Sequence, residues 1–246
     1  MQKVLAALAL ATPLLSYAAL PDVHTSTLDL TSIYDNPDSS WPNNPATLHV
    51  LSNQGGAVTV TTDAWQTLHN DEAGDTVPNV TEYGLSMTLT PAAGYVITGY
   101  SISASVSGIL KVPVKPPEAN SSWVPGSANN TAGIYLPDGK GGKVFKEIND
   151  VTASTLFESS VQGLSIDHAT KLDFTTFTGA YASYGRWWDW GQMGDEHRIA
   201  GYSKIIMSNP SLTIYTALAP VPEPETWGML LAGIALLGVA KRRSKR

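Results

Sequence analysis

Apolar and polar residues alternate along much of the chain between residues 20 and 218. Strict alternation is typical of a β-strand with one face in a core, because successive side chains point to opposite faces. The clearest run is residues 95–106, where one predicted face carries Val96, Thr98, Tyr100, Ile102, Ala104 and Val106. The same pattern predicts further strands at residues 46–51, 57–62, 85–89, 111–114, 133–136, 151–157, 172–176, 181–188, 198–207 and 212–218.

Turn-forming residues separate these runs at close spacing, as at residues 53–56, 91–94, 137–139 and 208–210. Many short strands with close turns predict a mainly β protein, a single antiparallel β-sandwich of jelly-roll or Ig-like type over residues 19–218. Gly99 inside the clearest run predicts a bulge or a bend. Residues 115–130, which include Pro116, Pro117, Pro125 and Gly126, are expected to form a long surface loop.

Composition narrows the classes of function. Charged residues make up 15% of the chain, and the chain has no cysteine, which excludes disulfides and thiolate chemistry. Between Pro21 and Pro220 we count nine basic and nineteen acidic residues, a net charge of −10. Such an acidic body repels phosphate backbones, so nucleic-acid binding is not expected.

The N-terminus has the pattern of a secretory signal peptide over residues 1–18. Lys3 precedes an apolar run from Val4 to Leu15, and Ser16 and Ala18 then occupy positions −3 and −1 of a cleavage site. Cleavage is expected after Ala18, or alternatively after Ala19. A buried helix is disfavoured, because Pro13 would break it.

The C-terminal segment 219–246 has three parts. A stiff linker contains Val221, Pro222, Glu223 and Pro224. An uncharged stretch of fourteen residues follows, and as a helix it would rise only roughly 21 Å across a hydrocarbon core of about 30 Å. The expected anchor, a transmembrane helix at about 226–240, uses Trp227, Leu230, Leu231, Ile234, Leu236, Leu237 and Val239. The basic end, which sets a cytoplasmic orientation, is Lys241, Arg242, Arg243, Lys245 and Arg246.

This order of Pro-Glu-Pro, short apolar helix and basic end resembles the PEP-CTERM sorting domain. Glu225 stands where that family usually has Ser or Ala. The resemblance implies that exosortase, a membrane-embedded cysteine transpeptidase-like enzyme, processes the chain near residues 222–224. It further implies delivery to the surface or matrix of a Gram-negative bacterium that makes exopolysaccharide. The resemblance covers about a tenth of the chain and leaves the body unassigned.

The most unusual stretch of the body is residues 181–197, which contain Trp187, Trp188, Asp189 and Trp190. Exposed aromatic rings beside carboxylates suit carbohydrate binding, and this is one interpretation of the cluster. The other is core packing, since alternation on a strand places Trp187 opposite to Trp188 and Trp190. The sequence leaves both open.

No catalytic residues are predicted, because the familiar nucleophile, metalloprotease, phosphate-loop and dinucleotide motifs are missing. No metal site or cofactor is predicted either. Asp195, Glu196 and His197 are neighbours that would point apart on a strand. Two oxygen-rich loops at residues 35–38 and 71–75 are compatible with Ca²⁺ but lack EF-hand spacing, so ordinary turns are expected there.

We therefore expect an exported, non-enzymatic protein, held in the inner membrane as a precursor with its body on the periplasmic side. The mature form is expected at the cell surface or outside the cell, in a structural or adhesive role near exopolysaccharide. The expected partners are exosortase, the membrane before processing, and exopolysaccharide. Carbohydrate binding through the aromatic cluster is the alternative, and a secreted hydrolase is the third hypothesis.

Overall fold

The computed structural model describes residues 22–36, 44–62, 65, 67–75, 77–119, 122–189, 194–220, 228–232 and 234. The predicted signal peptide, with Ser16 and Ala18, lies outside them. These described residues form the following strands: β1 Val23–His24, β2 Leu28–Asn36, β3 Asn44–Pro45, β4 Leu48–Gln54, β5 Ala57–Thr62, β6 Thr67–Ala73, β7 Asn79–Pro91, β8 Tyr95–Lys111, β9 Ala128–Pro137, β10 Lys143–Asn149, β11 Thr155–Ile166, β12 Thr170–Ala182, β13 Tyr184–Trp188, β14 Glu196–Ala200 and β15 Tyr202–Leu218.

The strands pair antiparallel in three sheets. A seven-stranded sheet has the order β1-β2-β7-β12-β9-β10, with β3 paired to β2. A six-stranded sheet has the order β11-β8-β15-β5-β4, with β6 paired to β15. The third sheet is the hairpin β13-β14. The predicted mainly β, antiparallel class is confirmed, but the hairpin sheet is an element that a single sandwich does not include.

One hydrophobic cluster joins the two larger sheets. The Tyr100 ring from β8 meets the Phe174 ring from β12 edge-on, with centroids 5.4 Å apart. Both side chains are fully buried, and burial of such a side chain stabilises the fold by about 1.5 to 3 kcal/mol. The predicted stripes of β7 and β12, and that of β8 from Tyr100 onward, point into this cluster.

The alternation along β8 shifts at the predicted irregularity beside Gly99. Pairing to β15 runs from Gly99 opposite Tyr215 to Ile97 opposite Thr216, so β8 has one extra residue there. Ile97 is fully buried while Thr98 is only partly buried, which reverses the predicted face at this point. A β-bulge therefore brings Ile97 into the core.

The predicted turn at residues 208–210 is wrong, because β15 continues through it as one strand. Its pairing to β8 shifts register between Ser208 and Ser211, and Asn209 adopts a positive φ of 51°. Asn tolerates this left-handed conformation better than most residues, and Pro is tolerated at bulges. Asn209 and Pro210, which favour a turn, thus form a bulge within β15.

Further sequence predictions differ from the structure. Of the strand predicted at 111–114 only Lys111 lies in a strand, and β11 begins at Thr155 rather than at residue 151. The strands predicted at 181–188 and 198–207 are each divided between two strands. Strands β2, β6 and β10 were not predicted. In β10 nearly every side chain is exposed, so the strand carries no alternating pattern that could reveal it.

Candidate functional site

The C-terminal segment leaves the body at the end of β15. The Ala219 amide donates to the Gly94 carbonyl at 2.8 Å, which fixes the first residue of this segment against the β7–β8 turn. Residues 228–232 and 234 are helical, and the anchor residues Leu230, Leu231 and Ile234 are 53–65% exposed. Among the described residues no helix is long and apolar enough to cross a membrane. The remaining sorting and anchor positions lie outside the described residues: Val221, Pro222, Glu223, Pro224, Trp227, Leu236, Leu237, Val239, Lys241, Arg242, Arg243, Lys245 and Arg246.

Strand β15 separates this segment from the predicted aromatic cluster. Its seventeen residues run from Tyr202, which follows the β13–β14 hairpin, to Leu218 beside the tail. At about 3.3 Å per residue the strand spans about 50 Å. The hairpin, which we call the distal hairpin, therefore lies at the end of the body away from the sorting signal.

The distal hairpin is built around Trp187. Its ring stacks on that of the directly paired His197 at 5.0 Å and packs against Trp123 at 5.9 Å between centroids. Gly185 makes room for Trp123, because a Cβ there would lie 2.1 Å from the Trp123 ring. Trp187 is only 7% exposed, so its ring offers no face to a sugar. This burial favours packing over sugar binding for Trp187.

The other predicted members of the cluster differ in their placement. Trp188 is half-buried, and its amide is bound to the Ser122 hydroxyl at 2.9 Å. Asp189 contacts the His197 ring at 3.0 Å between Oδ2 and Nε2. Trp190 lies outside the described residues. The buried Trp187 ring therefore does not support the interpretation of this hairpin as a carbohydrate site.

Charged side chains cover the outside of the hairpin. Arg186 is paired with Asp75 and lies 3.6 Å from Glu196, which binds Arg198 at 2.5 Å. The hydrogen bond from Arg198 lowers the pKa of Glu196 and raises that of Arg198. These carboxylates are already neutralised by arginine, which makes them poor candidates for acid–base work or metal binding.

The described residues contain no group of three or more His, Asp or Glu side chains that could hold a metal ion. In the predicted oxygen-rich loop at 71–75, Asp71 accepts a hydrogen bond from the Tyr202 hydroxyl at 3.0 Å. At the loop predicted over 35–38, Asp35 lies instead in β2 and is buried, and Asp38 lies outside the described residues. Glu196 and His197 point to different partners, as expected for strand neighbours.

A second aromatic group lies on the outer face of the seven-stranded sheet and was not singled out from the sequence. Tyr135 and Phe145 are directly paired across β9 and β10, with ring centroids 4.5 Å apart and planes 19° apart. The Phe177 ring from β12 lies 5.8 Å from Tyr135, tilted by 31°, and 6.1 Å from Phe145, with planes 16° apart. We call Tyr135, Phe145 and Phe177 the aromatic platform.

Polar side chains and a glycine flank the platform in one cross-strand row. Phe177 is paired with Gly133 on one side and with Glu82 on the other, and Gly133 is paired with Glu147. Direct cross-strand partners share a face, so both carboxylates lie on the platform side. A Cβ at Gly133 would lie 2.1 Å from the Phe177 ring, so only glycine lets this ring lie over β9.

The sequence contained a partial signal for this surface. Tyr135 and Phe177 occupy positions that alternate with the buried residues of β9 and β12, so they were assignable to the outward face. Their proximity depends on the order β12-β9-β10, which no local pattern encodes.

Comparison with known proteins identifies one segment of the chain. Residues 220–246 match the family described as the PEP-CTERM protein-sorting motif. None of the curated proteins matches the chain significantly.

Among solved structures, TmCBM61 in complex with beta-1,4-galactotriose is 10% identical over 76% of this chain and 89% of that chain, with a TM-score of 0.25. A CBM4 structure is 11% identical over 77% and 87% of the two chains, with a TM-score of 0.22. The bacteriophage CBA120 tailspike protein 4 enzymatically active domain is 12% identical over 68% and 20%, with a TM-score of 0.21. At these TM-scores the likenesses carry no weight for function.

Proposed function

Because the chain carries a PEP-CTERM protein-sorting motif at residues 220–246, which implies export and processing by exosortase, we propose that it is a surface or matrix protein of a bacterial envelope. The precursor is held in the inner membrane by the C-terminal segment, with its body on the periplasmic side. Exosortase cleaves near Pro222–Pro224, and the body is delivered to the surface or beyond. The sorting motif is the observation that carries this proposal.

The placement of the two ends of the body supports a tethered precursor. The Ala92 amide donates to the Thr27 carbonyl at 2.9 Å, and Gly94 in the same turn binds Ala219. The start and the end of the body thus meet at the β7–β8 turn. In a tethered precursor this end faces the membrane, and the distal hairpin faces away from it.

We propose a structural or adhesive role near exopolysaccharide, without catalysis. The two larger sheets, as the layers of a β-sandwich, provide a rigid support with a broad outer face. Glu196 of the distal hairpin is paired with Arg186 and Arg198 and is poorly placed to exchange protons with a substrate. A stable scaffold that presents a binding face is the function to which these features are suited.

The sorting step is tested with Pro222→Ala, Glu223→Ala and Pro224→Ala in one chain, expressed in a host that has exosortase. We expect uncleaved precursor to accumulate in the membrane fraction, as measured by immunoblot of fractionated cells. The matched control is Pro116→Ala, Pro117→Ala and Glu118→Ala, which removes the same residue types from a loop of the body. Processing and release at the wild-type level in the motif variant would overturn the proposal.

A further inference from the structure

We propose that the aromatic platform is a binding site for an uncharged polysaccharide chain. The proposal deepens the function proposed above, because it names the ligand that a matrix protein would hold. The site differs from the Trp187 cluster, which the structure assigns to packing. Three observations support it: the exposure of the rings, the glycine beneath Phe177 and the flanking carboxylates.

The rings lie outside the core. Tyr135, Phe145 and Phe177 face away from the hydrophobic cluster; Phe145, on the edge strand β10, is 45% exposed, and Tyr135 and Phe177 are half-buried. Aromatic pairs across strands do stabilise sheets, and two rings at 4.5 Å would suffice for that purpose. The Phe177 ring, parallel to Phe145 within 16°, extends the aromatic surface over three adjacent strands, which are about 4.8 Å apart. Exposed apolar patches of this kind mark interaction sites.

Gly133 allows the Phe177 ring to lie against β9. Glycine inside a strand costs about 0.5 to 1 kcal/mol relative to alanine. Here any larger residue would push the Phe177 ring away from β9, since a Cβ would come within 2.1 Å of it. Glycine at position 133 therefore lowers the local stability of β9 but allows the Phe177 ring to lie close over this strand.

The polar groups beside the rings suit sugar hydroxyls. Glu82 and Glu147 lie in the row of Gly133 and Phe177, and ionised carboxylates accept hydrogen bonds from hydroxyl donors. Sugar C–H faces pack on aromatic rings, so apolar and polar contacts alternate as a sugar chain requires. The same carboxylates, in a body of net charge −10, repel polymers rich in uronate, sulfate or phosphate. Between anionic and uncharged polymers, the fitting ligand is therefore the uncharged one.

The test is affinity electrophoresis of the purified full-length chain in a non-ionic detergent that has no sugar headgroup. Native gels contain hydroxyethylcellulose, glucomannan, galactan or soluble starch, and a parallel gel contains alginate. We expect at least one uncharged polymer to retard the wild type and alginate to have no effect. The double variant Tyr135→Leu with Phe145→Leu keeps apolar side chains on the strands but removes the rings. It should bind about tenfold more weakly or not at all, a change equivalent to about 1.4 kcal/mol.

Two controls separate binding from folding. Tyr95→Ala removes an aromatic ring from β8, in the other large sheet, and should leave retardation unchanged. Gly133→Ala should weaken binding while circular dichroism shows an unchanged fold.

Retardation by none of the uncharged polymers, retardation by alginate alone, or full binding by the leucine variant would each overturn the proposal. Dimerisation of the wild type that the leucine substitutions abolish would instead assign the face to contact between copies. Because the assay uses purified protein, its failure is distinct from a failure of sorting.

Discussion

The buried carboxyl of Asp35 should lower the free energy of unfolding of the body at neutral pH. Asp35 in β2 is 9% exposed, and its Oδ1 has no hydrogen-bond partner among the described residues. Burial raises the pKa of Asp35, and hydrogen bonding from Tyr83 offsets this only in part. The folded state therefore resists ionisation of this group.

The sign follows from linkage between protonation and folding. A carboxyl whose pKa is raised on folding contributes its full stability below its unfolded pKa, which lies near 3.9, and loses that contribution as the pH rises through the folded value. At neutral pH the ionised Asp35 is thus unfavourable. Leaving a buried polar group unsatisfied costs about 1 to 3 kcal/mol, and more when the group is charged. Because Tyr83 still donates to Asp35, the part of this cost that is due to the charge is about 1 kcal/mol.

The test is Asp35→Asn, which keeps the shape of the side chain and removes the charge. At pH 7 we expect a gain of about 1 kcal/mol in the free energy of unfolding, which for a body of this size raises Tm by about 2 to 4 °C. The gain should vanish towards pH 3. Urea unfolding followed by tryptophan fluorescence at pH 3 to 8 measures both.

Asp167→Asn is the matched control. Its side chain is 75% exposed, and hydrogen bonding to His168 lowers the pKa of Asp167. The same substitution there should give no gain at pH 7. If Asp35→Asn were less stable than the wild type at pH 7, or if its advantage were independent of pH, the reasoning would be refuted.

Two further predictions concern packing and the backbone. Trp187→Ala should lower the free energy of unfolding by about 3 to 5 kcal/mol, because it empties the space between Trp123 and His197, and urea unfolding would show this. A loss below about 1 kcal/mol would mean that the ring is not part of a packed cluster. Asn209→Val should cost about 1 to 2 kcal/mol, because a β-branched residue is strained at a φ of 51°, whereas Asn209→Gly should be nearly neutral. Equal stability of the two variants would contradict the bulge.

The sequence predicted the buried stripes because they depend only on a period of two. Leu85, Met87 and Leu89 are at most 1% exposed, as their alternation requires. The end of a strand is harder to predict, since Asn209 and Pro210 suit both a turn and a bulge, and only the continuous pairing to β8 decides between them.

The candidate sites were predictable to different degrees. The sorting motif is contiguous, so residue order alone identifies it. The Trp187 cluster was visible as composition, but whether a ring is buried depends on Trp123, a residue 64 positions earlier in the chain. The aromatic platform joins strands β9, β10 and β12, whose register is a property of the folded sheet.

Strand β15 has a mechanical consequence for a body tethered at one end. Its pairing to β8 extends from Tyr202 to Leu218, and β6 and β5 bind its other edge. Force applied through the tail pulls β15 along its own axis, so the inter-strand hydrogen bonds are loaded in shear and must break together rather than one after another. Resistance to such force is governed by the rate of unfolding rather than by the equilibrium stability. A body attached at Leu218 should therefore withstand flow and matrix tension better than its modest size suggests.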